Sequence, residues 1–576
     1  MTGLTRSATD PFGQAHHPQR FHALDATRAF ALLLGVFFHA VWFYIAIPYL
    51  APVGDVRSNV MADWIFTTAH SFRLQLFFVL AGFFAHLLFH QRGYRAFASN
   101  RLTRIAVPLL LGWQTIVPVY ELLYTWGAQV SGQREFPLSA WGMLVSWYAS
   151  GKFLIPASIG GSFGFAHLWF LYYLLLYYAA ILPGRWLILK LAGARYPLHT
   201  WVDGGTNFVA SSFWGPVMLW LVFTPLIWVM HGWIGVDLPG ESLYPARKVL
   251  LIYGMFFLFG WLLHRLAGRL PHFFVHWRWH LSLGIAASIG LYAAYYHLRV
   301  NHLYGLKYPA LALHDVRDWS EFRSAIAGKA LAMPVDPVMS RLWARLSPTT
   351  RARFNQVAEL TVDERQGVIL ALNQVLMTPS ALSEDPPSQV VANPPFINRQ
   401  ELASMLLNRE ILQPYLRGVG AIISPQSPWY QPLKLGYSVC YSLVMCSLIF
   451  GCLGVFQATC NQFNPPWRYL TDASYWIYLV HLPVLLAIEI PIHRWDVTAL
   501  VKIPLLLGTS MLLCTASYHY MVRSTFIGKL LNGRAYSFHL NPWKALQRIP
   551  DRDTDPRADC INNGPASKSA TKGGTH

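Results

Sequence analysis

Apolar runs of one length class recur along almost the whole chain, separated by short polar connections. Ten of them, at approximately 27–50, 62–90, 105–126, 165–190, 207–231, 247–267, 279–299, 431–458, 469–492 and 498–522, read as membrane-crossing helices. A crossing takes about 20 residues for a hydrocarbon core of roughly 30 Å. The pattern predicts an all-α polytopic membrane protein with about ten transmembrane helices.

The rhythm breaks once. Residues 300–428 carry Pro-rich stretches ("SEDPPSQ", "ANPPF") and a helix-like segment, "SPTTRARFNQVAELTVDERQGVILALNQVL". Ser347 can cap that segment, with Pro348 at its first helical position, so a small, mostly helical soluble insertion is expected between helices 7 and 8. The implied division is a polar segment 1–24, a membrane domain over 25–299 and 429–523, the insertion 300–428, and a basic tail 524–576.

Composition agrees: of 576 residues, 54% are apolar and only 12% charged, which excludes one ordinary soluble domain. A net charge of +18 would suit nucleic acid, but the cations sit in connections rather than on one face. Loops 91–104 (Arg92, Arg95, Arg101, Arg104), 185–195 (Arg185, Lys190, Arg195) and 265–278 (Arg265, Arg269, Arg278) alternate with basic-poor loops. By the positive-inside rule these loops and both termini are cytoplasmic. Alternation then puts the charge-balanced insertion on the outer face. The polar start lacks a small-residue cleavage site, so the first helix is expected to be retained. The six cysteines show no paired spacing that suggests zinc or a disulfide framework, and no metal is expected.

Several ionisable residues fall inside apolar runs. His39 follows Arg28 by eleven residues, about 16 Å along one helical face. Arg73, in "SFRLQLFFVLAGFF", reaches a similar depth from the opposite face. In "TDASYWIYLVHLP", His481 also lies near mid-depth, with Asp472, Tyr475 and Tyr478 on roughly the same side, and Pro483 should free backbone carbonyls there. His167 and Trp169 open the fourth run near its outer boundary, where an aromatic belt is the bland alternative. A single buried histidine is usually a hydrogen-bonded core side chain. Two histidines and an arginine at matched depth favour a polar site, because an intramembrane cation is costly and marks a pathway or a site. A histidine near neutrality moves protons and an arginine holds anions.

"LDATRAFALLLGVFFHA" (24–40), with an arginine, ten residues and a histidine, resembles the first-helix signature of the membrane acyltransferase 3 family. "FRLQLFFVLAGFF" (72–84), "FASNRLTRIAVP" (97–108), "HLWFL" (167–171) and "SYWIYLVHLP" (474–483) are similar to later landmarks, and the wording resembles the glucan biosynthesis protein C group. The resemblance implies an inner-membrane enzyme that uses acyl-CoA as co-substrate, with no permanently bound cofactor, and acylates a carbohydrate hydroxyl across the membrane. It places the chain in a bacterial lipid bilayer, without nucleic acid, beside glycan-assembly proteins of the periplasm. In that frame His39 is the general base and Arg73 holds the oxyanion or a succinyl carboxylate. Arg28, Arg101 and Arg104 hold coenzyme A phosphates, while His167, Trp169, Tyr478 and His481 contact substrate. A transporter or flippase for a glycan, lipid or acyl carrier is the rival, since mid-membrane ionisable residues serve transport too. The insertion at 300–428 departs from the family pattern.

Overall fold

The computed structural model describes residues 21–45, 53, 55, 57, 59–130, 140–151, 164–192, 198–230, 235–236, 243–298, 348–349, 352, 428–462, 464–534, 536–538 and 540. The expected insertion 300–428, including its Ser347 cap, therefore lies outside the described residues except at 348, 349, 352 and 428. So do the polar start up to residue 20 and the tail beyond 540.

The described chain is helical: α1 (His22–Trp42), α2 (Val60–Arg101), α3 (Val107–Val130), α4 (Ala140–Ala149), α5 (Trp169–Ala192), α6 (Leu198–Ser211), α7 (Gly215–Trp228), α8 (Arg247–Arg265), α9 (Trp277–Leu298), α10 (Tyr430–Thr459), α11 (Pro465–Ile492), α12 (Ala499–Ser517) and α13 (Phe526–Asn532). Each of the ten apolar runs coincides with a helix or helix pair. Among the described residues, seven stretches are long and apolar enough to cross a membrane, and the bent pair Thr200–Ser211 with Gly215–Trp228 brings the number to eight. One of the seven, Met61–Gly127, holds two helices that double back on each other. The reversal lies at Gly93, whose φ of 72° is open to glycine. Beyond it Phe97 returns to Phe89, and Arg101 Nη2 donates to the Phe84 carbonyl at 3.3 Å. The protein is an all-α, multi-pass membrane protein.

Two runs differ from expectation. The first helix stops at Trp42, eight residues short of the expected 50. Past it the backbone turns to pair with the start of α2: the Asp55 N–H donates to Phe43 at 3.0 Å and the Asn59 N–H to Tyr44 at 2.8 Å. The fifth run is broken by 109° between α6 and α7. Ser212 accepts the Trp214 N–H at 3.1 Å there, and a Cβ on Gly215 would come within 2.2 Å of the Val209 carbonyl oxygen.

The bundle is inverted relative to a soluble protein, with exposed Leu111, Leu221, Ile289 and Leu512 outside and buried Arg73, Gln75, Ser442 and His481 inside. Helices approach closely at glycines. A Cβ on Gly82 would sit 1.9 Å from the Phe257 carbonyl oxygen, and one on Gly260 would sit 1.8 Å from that of Val79, so α2 and α8 touch backbone to backbone. Antiparallel α9 and α10 interlock through Gly284 on Leu448 and Gly451 on Leu281. Helix α1 lies against both α2 and α11, which brings the candidate residues together. Arginines gather at one end of the bundle. At the other, Lys502 and Asp55 form a fully buried ion pair, and Tyr44 donates to Glu489 at 2.8 Å.

Candidate active site

Three histidines meet where α1, α11 and the start of α5 converge. His39 Nδ1 lies 3.0 Å from His481 Nε2, and the His167 ring centroid lies 5.5 Å from that of His481. Hydrogen bonding assigns the protons. His481 Nδ1 faces the Tyr478 carbonyl at 2.7 Å, and a carbonyl only accepts, so Nδ1 carries the proton and a neutral His481 offers a lone pair at Nε2. His39 must then donate from Nδ1, and its own lone pair resides on Nε2.

His167 is fixed similarly. Its Nε2–H donates to the Leu479 carbonyl at 2.9 Å. A regular helix would give that carbonyl to the N–H of residue 483, which is Pro483 and has none. The proline thus frees one carbonyl, as its position in the sequence suggested. Ala166, at φ 43°, turns the chain so that His167 enters the bundle. Among the described residues His167 Nδ1 is buried without a hydrogen-bond partner, and the Tyr478 hydroxyl donates to the His167 backbone carbonyl at 2.8 Å.

Arg73 stacks flat on Phe38, with its guanidinium carbon 3.6 Å from the ring centroid, and a Cβ on Gly35 would lie 3.6 Å from its Nη1. It therefore flanks the turn of α1 that carries His39. Matched depth is realised as contact between His39 and His481, with Arg73 against the neighbouring Phe38, although His39 occupies the last turn of α1 rather than its middle. His167, expected at the outer boundary, joins the histidines. Trp169 does not: it packs among Tyr173 and Tyr253, with ring centroids 5.3 and 5.9 Å away. Facing away from His167 along α5, it belongs to the aromatic packing between α5 and α8.

A cavity of about 320 Å³ runs from the arginine-rich end to Tyr478. Arg28, Arg101, Arg104 and Arg468 line it together with Asp25 and Asp472, and Phe77, Phe170 and Leu174 line its apolar part. The histidines lie behind Tyr478 and do not line it. The predicted trio Arg28, Arg101 and Arg104 is brought together here. Arg28 pairs with Asp25 at 3.4 Å, and Arg101 lies 4.8 Å from the Tyr178 ring. The backbone of Arg104 accepts from Tyr475 at 2.8 Å, and its side chain presses on Gly533, the left-handed cap of α13.

Sequence reasoning missed Arg468 and the network around Asp472. Arg468 reaches Asp472 at 3.1 Å, Arg534 reaches it at 3.3 Å and the Tyr536 hydroxyl donates to it at 2.6 Å. Arg468 and Asp472 are one helical turn apart, the ion-pair spacing available in the sequence. Arg534 comes from beyond the last membrane run, and no periodicity points to it.

The profile of the acyltransferase 3 family, described as an acyltransferase domain, matches residues 21–314, just over half of the chain. Among curated proteins, glucans biosynthesis protein C of Shigella dysenteriae serotype 1 (strain Sd197) is 33% identical over 107 residues, 18% of this chain and 26% of that protein. The proteins of the same name from Escherichia coli (strain K12) and Escherichia coli O9:H4 (strain HS) match with the same identity and coverage. The matched stretch spans about a quarter of the length of these curated relatives. No solved structure matches. The profile covers the helices that carry Arg28, His39, Arg73, Arg101, Arg104 and His167, and on that match the chain belongs to the acyltransferase 3 family.

Proposed function

We propose that the protein is an O-acyltransferase that moves an acetyl or succinyl group from acyl-CoA to a hydroxyl of an envelope glycan. The observation that carries this reading is the cavity: four arginines at one end, an apolar middle, and Tyr478 at the other end against the histidine cluster. Such a lining suits a donor with phosphates, a flexible arm and a thioester. The relatives' name, glucans biosynthesis protein C, supports a glucan-like acceptor. By the positive-inside rule the arginine-rich end and both termini face the cytoplasm of a bacterial inner membrane, where acyl-CoA is available.

In the reaction, His39 Nε2 takes the proton of the acceptor hydroxyl while its oxygen attacks the thioester carbonyl. Arg73 stabilises the oxyanion or grips a succinyl carboxylate. The carbon–sulfur bond then breaks, and the proton passes from His39 to the leaving thiolate. Arg28, Arg101 and Arg104, joined by Arg468, hold the coenzyme A phosphates. His167 and Tyr478 orient the substrates, His481 acts through its hydrogen bond to His39, and Trp169 acts only through packing. Acyl-CoA is consumed as substrate and free coenzyme A is released as product, so no resident cofactor is required, and glycan-assembly proteins supply the acceptor.

The test is mass spectrometry of periplasmic glycans from a deletion strain carrying wild type or His39→Ala at matched membrane levels. An ester-sized mass present only with wild type is expected, and its size names the acyl group. Identical profiles refute His39 as the base, and export of unmodified glycan would favour the transporter.

A further inference from the structure

We propose that His481 is a positioning residue that selects the reactive tautomer of His39. The proposal rests on the reading of His39 as the base and adds what makes it one. A neutral imidazole carries its proton on either nitrogen, and only the form with a lone pair facing the acceptor hydroxyl can remove a proton. Something must accept from the other nitrogen to fix that form.

His481 Nε2 does so at 3.0 Å from His39 Nδ1, alongside the Gly35 backbone carbonyl, which lies within reach of the same ring one turn earlier in α1. It can accept only because its own proton is pinned on Nδ1 by the Tyr478 carbonyl at 2.7 Å. A chain therefore runs from a backbone carbonyl of α11 through one ring to the next. A neutral acceptor suits the setting, since a carboxylate there would put a second charge beside Arg73 in a dry interior. When the hydroxyl proton arrives on His39 Nε2, the Nδ1 proton stays in the hydrogen bond with His481. Once the thiolate takes the Nε2 proton, the starting tautomer is restored and neither ring has gained or lost a proton.

The test compares full-length His481→Gln, His481→Leu and His39→Ala in membranes at matched levels. Thiol release from acetyl-CoA and from succinyl-CoA is followed in the presence of the glycan fraction extracted from the deletion strain. Glutamine can accept from His39 Nδ1 through its amide oxygen, whereas leucine cannot. The Leu variant is expected to lose about 10²–10³-fold in kcat, the range of general-base catalysis, with KM for acyl-CoA changed by less than about three-fold. His481→Gln should stay within about ten-fold of wild type, and the double variant His39→Ala/His481→Leu should be no slower than His39→Ala. Equal losses in Gln and Leu, or full kcat in Leu, overturn the proposal while leaving the base reading intact. Retained activity in His39→Ala sinks the base reading and this proposal with it. Should both His481 variants fail to accumulate, ¹⁵N-histidine NMR of the wild type decides, with His39 assigned by its loss in His39→Ala. A bare Nε2 on His39 supports the relay and a protonated Nε2 in the resting protein overturns it.

Discussion

On the proposed reading, replacing Arg101 with alanine should separate donor binding from chemistry. The guanidinium of Arg101 lies 4.8 Å from the Tyr178 ring and 5.4 Å from that of Phe97, and one donor makes a long 3.3 Å bond to the Phe84 carbonyl. Its Nε is buried without a hydrogen-bond partner among the described residues. This side chain is held in place by its faces while its donors remain underused, the state expected of a group awaiting an anion. A charge-assisted hydrogen bond to phosphate is worth about 1.5–3 kcal/mol, so its loss should raise KM for acyl-CoA by roughly 10- to 150-fold. The kcat value should stay within about three-fold, because Arg101 lines the end of the cavity away from the histidines. Arg101→Lys should recover only part of the affinity, since an ammonium keeps the charge but loses the fork and the planar stacking. The assay is acyl-CoA saturation in membranes with a parallel series using 3′-dephospho-acyl-CoA, against which any residue bound to that phosphate loses its discrimination. A KM within three-fold of wild type, or a fall in kcat at constant KM, would refute the reasoning and leave Arg101 as an anchor for the Gly93 turn.

Arg73→Lys should lower kcat by about ten-fold or more with little change in acyl-CoA binding, because the flat stacking on Phe38 and the paired donors are both lost; wild-type acylation by this variant would rule out bidentate contact. Lys502→Met should leave Asp55 as an uncompensated buried charge and cost about 3–5 kcal/mol, read as a lower thermal midpoint in detergent. Adding Asp55→Leu to Lys502→Met should restore most of that loss, and a double variant no more stable than the single one would show that the pair is not the cause.

Much of the bundle was legible because lipid imposes one rule on every helix: enough apolar residues in a row to cross. That rule fails where local geometry intervenes, as at the α6–α7 bend, where Ser212 and Gly215 permit a corner inside an apolar run. The pairing of His39 with His481 was legible as matched depth, since position along a helix converts directly into height. Rotation about the helix axis is not fixed by that count, so Trp169, two residues from His167, was expected at the site but points into the α5–α8 packing. The network of Arg468, Asp472 and Arg534 joins a helix start to a segment beyond the last crossing, and no one-dimensional pattern couples them. Nor does the family profile, which ends at residue 314, while His481, Arg468 and Asn532 complete the cavity and the histidine pair from the far side of the insertion.

The interlocking of α9 with α10 bears on that insertion. Leu281 meets Gly451, Gly284 meets Leu448 and Gly290 approaches Cys440, one antiparallel register held over several turns. Carried to its end, the register sets Leu298 level with the first turns of α10, so the chain departs from the bundle and rejoins it at nearly one point. Closing a loop whose ends already meet costs little more as it lengthens, about 0.6 kcal/mol for each doubling. The membrane domain is therefore mechanically indifferent to what is threaded between these two helices, and a handful of flexible residues would close the same gap. That junction is a port at which evolution or an engineer can exchange one intervening segment for another without disturbing the packing of the two helices it joins.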